Sequence, residues 1–107
     1  MYYYYAINYI KSNIYRQIYV SELTEFLGIS QPYLYKIFLN KCGLSPKAKI
    51  NNIKINKATD MLTQTSMQVT NIAYSLGFST PQDFSKFFKK HIGISLTNYK
   101  KNLALNE

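Results

Sequence analysis

An internal repeat constrains this chain more than any other feature. Val20, Leu27, Gly28 and Ser30 recur 49 residues later as Val69, Leu76, Gly77 and Ser79, with Leu23 answered by Ile72. Beyond the glycines the offset becomes 50: Leu34, Lys36 and Phe38 are answered by Phe84, Lys86 and Phe88, and Gly43 and Ser45 by Gly93 and Ser95. One extra residue therefore sits in the second turn. Each unit reads as a short helix, a tight turn at glycine, a second helix and a glycine stop, which is the plan of a helix-turn-helix.

The local chemistry agrees with that plan. Gly28 and Gly77 follow the last apolar residue of a helix about eight residues long, where a left-handed backbone is cheap only for glycine. Ser30 and Thr80 are expected to cap the second helices, and Thr80 with Asp83 three residues on resembles a capping box. On those helices Leu34, Ile37 and Phe38, or Phe84, Phe87 and Phe88, are spaced to pack inward. The opposite face is polar and basic, with Gln31, Tyr35 and Lys36 in the first unit and Gln82, Ser85, Lys86 and Lys89 in the second.

The rest of the chain also reads as helix, since no alternating apolar and polar run with a hairpin signal occurs. Tyr3, Ile7, Ile10, Ile14 and Ile18 form one stripe at helical spacing, predicting a single amphipathic first helix. Ser45 followed by Pro46 is a helix start, because the amide that proline lacks would have been unpaired there. A long helix over 46–63, packing through Ile50, Ile53, Ala58, Met61 and Leu62, should follow. The expected architecture is all-α, about seven helices, with a first helix-turn-helix subdomain over 3–45, a linker helix over 46–63 and a second subdomain over 64–107. Tyr2 to Tyr5 are expected to mark a helix start or a domain boundary rather than to form a binding element.

Charge then narrows the function. Thirteen Lys and Arg stand against five Asp and Glu, a formal net charge of +8 on 107 residues, so an anionic partner is expected. The single cysteine and single histidine rule out a disulfide framework or cysteine-based zinc finger and make metal chemistry unexpected. Cys42 is read as a packing residue, His91 as a surface or helix-end residue, and the pair Phe87 and Phe88 as core. No cofactor, metal or catalytic residue is expected: there is no Ser/His/acid set and no phosphate-binding glycine loop. No apolar run is long enough to span a bilayer, the N-terminus lacks the pattern of a signal peptide, and a cytoplasmic protein, nucleoid-associated when bound, is expected.

The motifs carry a family resemblance. Ile72, Ala73, Leu76, Gly77 and Phe78, then Phe84, Ser85, Lys86, Phe88, Lys89 and Lys90, and finally Gly93, Ser95 and Tyr99 resemble the second motif of the DNA-binding domain of AraC/XylS transcription regulators. Leu23 to Gly28, Ser30, Tyr33, Leu34, Phe38, Gly43 to Pro46, Ala58 and Leu62 are similar to its first motif. The resemblance covers about three quarters of the chain. It implies seven helices in two subdomains linked by the helix at Pro46, with both second helices entering DNA. Lys36, Lys54 and Lys86 stand where similar proteins often carry Arg; lysine keeps the charge and loses the planar bidentate fork. Thr24 replaces a small residue, Leu96 a frequent proline, and Asp83 a frequent aromatic.

The expected function is sequence-specific binding of double-stranded DNA in bacterial transcription regulation. A helix of about 18 residues spans roughly 27 Å, the scale needed to set two recognition helices on successive major-groove segments about 34 Å apart. Gln31, Pro32, Tyr35, Lys36, Pro81, Gln82, Ser85 and Lys86 are the base-reading candidates: Gln suits adenine, the Tyr ring a thymine methyl, and Lys guanine or phosphate. Ser21, Thr70, Lys89 and Lys90 are the phosphate candidates, Ser21 and Thr70 being equally placed to act only as caps. The isolated domain is expected to be monomeric. The resemblance further implies a separate N-terminal sensing or dimerising domain and RNA polymerase as a second partner. The alternative reading is a helical protein-interaction module with a basic face.

Overall fold

The computed structural model describes residues 1–105, and those residues form seven helices and no strand. These are α1 (Tyr2–Ser12), α2 (Val20–Leu27), α3 (Gln31–Cys42), α4 (Pro46–Gln64), α5 (Val69–Ser75), α6 (Pro81–Ile92) and α7 (Leu96–Leu105). They fall into two compact units that divide between Ile53 and Lys54, inside α4.

The first unit departs from sequence expectation in α1. The five-membered stripe predicts one helix through Ile18, yet α1 ends at Ser12. Asn13 stops it: its side-chain Nδ2 donates to the Tyr9 carbonyl at 2.8 Å, and its own N–H reaches the carbonyls of Tyr9 and Ile10. Ile14 and Ile18 still reach the core, from a turn and from the irregular segment before α2, so they keep their burial and lose their helix. Around them the core is built from Ala6, Ile10, Leu23, Leu34, Phe38 and Ile50. Three tyrosines of the N-terminal run meet separate partners, Tyr3 packing edge-on against Phe38, Tyr2 meeting Tyr33 and Tyr4 lying under the Lys41 ammonium, while Tyr2, Tyr4 and Tyr5 stay exposed.

The second unit repeats the plan. Ile72, Phe84 and Phe88 are fully buried, as Leu23, Leu34 and Phe38 are at the equivalent positions of the first. Ile55, Ala58, Ala73, Leu76 and Leu96 complete this core. Each large side chain withdrawn from water contributes about 1.5 to 3 kcal/mol, so the repeated positions carry a large share of each unit's stability. Helix α4 serves both cores, Ile50 and Ile53 facing the first, and Ile55, Ala58, Met61 and Leu62 the second. Ile55 was not among the packing positions expected for this helix. Pro46 opens it, fully buried, with the Ser45 hydroxyl accepting from the Ala48 N–H at 3.2 Å.

Candidate nucleic-acid interface

Each unit presents its second helix by the same local devices. Gly28 and Gly77 take φ of 67° and 86°, the left-handed region that reverses the chain after α2 and α5. The Ser30 hydroxyl then accepts from the Tyr33 N–H at 3.3 Å, and the Thr80 hydroxyl from the Asp83 N–H at 3.1 Å. Prolines 32 and 81 occupy the first turns, where a missing amide leaves nothing unsatisfied. Inward anchorage by Leu34 and Phe38, or Phe84 and Phe88, leaves one polar face of each helix in solvent.

The structure places the base-reading candidates on those faces. Gln31, Pro32 and Lys36 are exposed on α3, and Tyr35 is half-buried. Gln82, Ser85 and Lys86 are exposed on α6, with Pro81 half-buried. Among the phosphate candidates, Lys89 and Lys90 are exposed on the later turns of α6. Ser85, Lys86, Lys89 and Lys90 line one open hollow together with Ser95 and Thr97 at the start of α7. Among the described residues no carboxylate lines it, and three ammonium groups at one hollow make it suited to an anion. Ser21 and Thr70 are exposed second residues of α2 and α5. The capping role considered for them falls elsewhere, because the N-cap positions belong to Tyr19 and Gln68.

Three residues outside the candidate site list stand out in the structure. Tyr33, on the first turn of α3, exposes 47% of its surface and is held edge-on by Tyr2 at a ring separation of 6.0 Å. Thr97, at the start of α7, lines the hollow of the second unit. Lys54, in contrast, is buried and donates to the Leu76 carbonyl at 2.9 Å, at the turn between α5 and α6.

A charged clamp fixes the start of α2. The Glu22 carboxylate accepts from the Tyr19 N–H at 2.8 Å, from Arg16 at 2.7 and 3.1 Å, and from the Tyr9 hydroxyl at 3.1 Å. Chiefly through Arg16, these bonds draw its pKa from the ordinary 4.5 down to about 2. His91 closes α6 with its ring 4.4 Å from that of Phe87; burial, then the Lys90 charge, lower its pKa. It lies at a helix end as the sequence suggests, and no cluster of metal-ligating residues occurs among the described residues.

Two glycine-turned helix pairs, each presenting a polar and basic second helix, define a double helix-turn-helix domain. A family model described as a helix-turn-helix domain matches residues 23–102. The lactose operon transcription activator of Staphylococcus xylosus is 32% identical over 101 residues, covering 94% of this chain and 36% of that protein. The Msm operon regulatory protein of Streptococcus mutans is 31% identical over 104 residues, covering 94% of this chain and 37% of that one. The chain thus spans little more than a third of the length of these relatives. Among solved structures, the C-terminal domain of the response regulator AraT from Geobacillus stearothermophilus superposes with a TM-score of 0.81 at 28% identity, covering 91% of this chain and 81% of that one. The DNA-binding domain of the global transcriptional factor AdpA, solved with a target DNA, shares the fold with a TM-score of 0.83 at 18% identity, covering 95% of this chain and 92% of that one. The chain belongs to the AraC-type helix-turn-helix family of transcription regulators.

Proposed function

We propose that this domain binds double-stranded DNA as a monomer and reads it through α3 and α6. The observation that carries this reading is the duplicated unit itself, in which capping, glycine turn and buried anchors hold a polar helix face in solvent twice within one chain. The fold shared with a domain solved on its target DNA supports it. Gln31, Tyr35, Lys36, Gln82 and Lys86 are the side chains with the chemistry to read base edges, Pro32, Pro81 and Ser85 lying beside them. Lys89 and Lys90 hold backbone phosphate at the hollow beside α7, and Ser21 and Thr70 offer hydroxyls at the starts of α2 and α5. The role is binding rather than catalysis, exercised at the bacterial nucleoid. RNA polymerase, and a second protomer joined through a further domain, are the partners of the full regulator.

Selection of bound sites from a random duplex pool tests this reading, followed by binding to every single-base variant of the selected site. Lys89→Ala or Lys90→Ala should weaken binding to all variants alike, since a phosphate contact carries no base information. Gln82→Ala should cost about 1 to 3 kcal/mol on the selected site and flatten preference at one or two base pairs. Selection without enrichment, or equal losses across both classes of substitution, overturns it. The protein-interaction alternative predicts no enrichment.

A further inference from the structure

Among the described residues Lys54 is the one charged residue in the buried set, retaining 7% of its surface. A lysine so placed requires a compensating acceptor. Its ammonium donates to the carbonyl of Leu76, the residue that closes α5, and it also lies 5.5 Å from the centre of the Phe78 ring. Cations suit helix C-termini, where carbonyls point outward without helical partners, and they suit aromatic faces. Both contacts fall in the turn between α5 and α6. Phe78 in turn packs against Phe84 and Phe87, at ring separations of 5.3 and 5.1 Å, and both of those rings belong to α6. A continuous line of contacts therefore runs from the Lys54 ammonium, through the turn, to the base of the second recognition helix.

The first unit lacks this arrangement. There the glycine turn follows directly on α2, Gly28 itself being the C-cap, and its N–H bonds to the Thr24 carbonyl at 2.8 Å. In the second unit α5 is one residue shorter, its C-cap is Leu76, and the chain runs on through Gly77 to Thr80 with one more residue than its counterpart. The longer turn has more conformations open to it, and the Lys54 contact fixes its first residue.

From this geometry we infer that Lys54 is a positioning residue for DNA recognition by the second unit: it sets the turn that aims α6, and through it the exposed Gln82 and Lys86, without touching DNA itself. The inference rests on the DNA-reading role proposed above and extends it to a buried side chain outside the interface.

The test compares Lys54→Met, which keeps the length and apolar stem and removes the charged donor, with Lys54→Arg, which restores a cation. Lys54→Met removes the donor to one carbonyl at a helix end and keeps the packing of the apolar stem, so it should retain helical content and cooperative melting. Amide exchange at Gly77 to Thr80, measured without DNA, should accelerate at least tenfold relative to the α2–α3 turn. On the selected duplex, affinity should fall about tenfold or more, and base preference should flatten only at the positions that Gln82→Ala affects. Lys54→Arg should recover most of both losses. If Lys54→Met does not fold, Lys54→Gln, which retains a neutral donor, undergoes the same measurements with the same expectations. Unchanged exchange in that turn, a loss of preference spread evenly over the whole site, or no recovery in Lys54→Arg overturns the inference. Because exchange is read without DNA, failure of the unsubstituted protein to bind duplexes refutes the DNA-reading role and is distinguishable from failure of the turn to respond.

Discussion

Glu22→Gln should weaken the protein at neutral pH and remove part of its acid sensitivity. Glu22 joins the end of α1 to the start of α2 through Arg16, Tyr9 and the Tyr19 amide, and its carboxylate is 23% exposed beside an Arg16 that is 47% exposed. With a folded pKa of about 2 against the ordinary 4.5, the carboxylate binds protons less readily in the folded chain than in the unfolded one. Its contribution is therefore present in full above pH 4.5 and is lost as the pH falls toward 2. At 1.36 kcal/mol per pKa unit the difference is worth at most about 3 kcal/mol. Solvent screening of a pair this exposed reduces it to about 1 to 2 kcal/mol. Urea unfolding of the parent and of Glu22→Gln at pH 7 and at pH 2.5 measures both terms. The two proteins should differ by about 1 to 2 kcal/mol at pH 7, and only about a quarter of that gap should remain at pH 2.5, since the other carboxylates and the rising net charge act equally on both. A gap that stays constant with pH, or its absence at pH 7, refutes the assignment of this stabilisation to the ionised carboxylate.

Further expectations concern the turn and the long helix. Gly28→Ala meets no atom within 4 Å of the added methyl, so its cost is that of the left-handed backbone, about 1 to 2 kcal/mol; Gly28→Asn should cost less, and thermal melts of the two compare them. Asn56→Pro, at an exposed position of α4, should cost about 3 kcal/mol of helix stability, read by circular dichroism and melting. If both recognition helices read one site, inserting five base pairs between the half-reads should abolish joint binding by the unsubstituted protein, and unchanged affinity would assign reading to one helix alone.

Local chemistry made much of this fold legible. Ser30, Thr80 and the four glycines act within a few residues of themselves, so the caps and turns followed from sequence, as did the buried faces of α3 and α6. Periodicity misled where a competing local bond intervened: the spacing of Ile14 and Ile18 is helical, but the Asn13 side chain ends α1 before them. Contacts between distant residues were out of reach. Lys54 stands where similar proteins often carry Arg, but its burial and its bond to the Leu76 carbonyl, 22 positions on, emerge only in the fold. Arg16 lies outside both motifs, and its place in the clamp on Glu22 emerges only once the turn after α1 is known. Exposure of Gln31 and Gln82 follows from helical spacing, whereas the base that each meets depends on the geometry of a complex.

The measurement that bears most directly on the central claim is the salt dependence of affinity for a selected duplex. A domain using about six phosphate contacts should show log affinity falling with log salt at a slope near −5. Lys89→Ala and Lys90→Ala should each reduce the steepness of that slope by about 1. A flat response to salt, with no difference between selected and scrambled duplexes, would contradict the proposal that this double helix-turn-helix reads DNA.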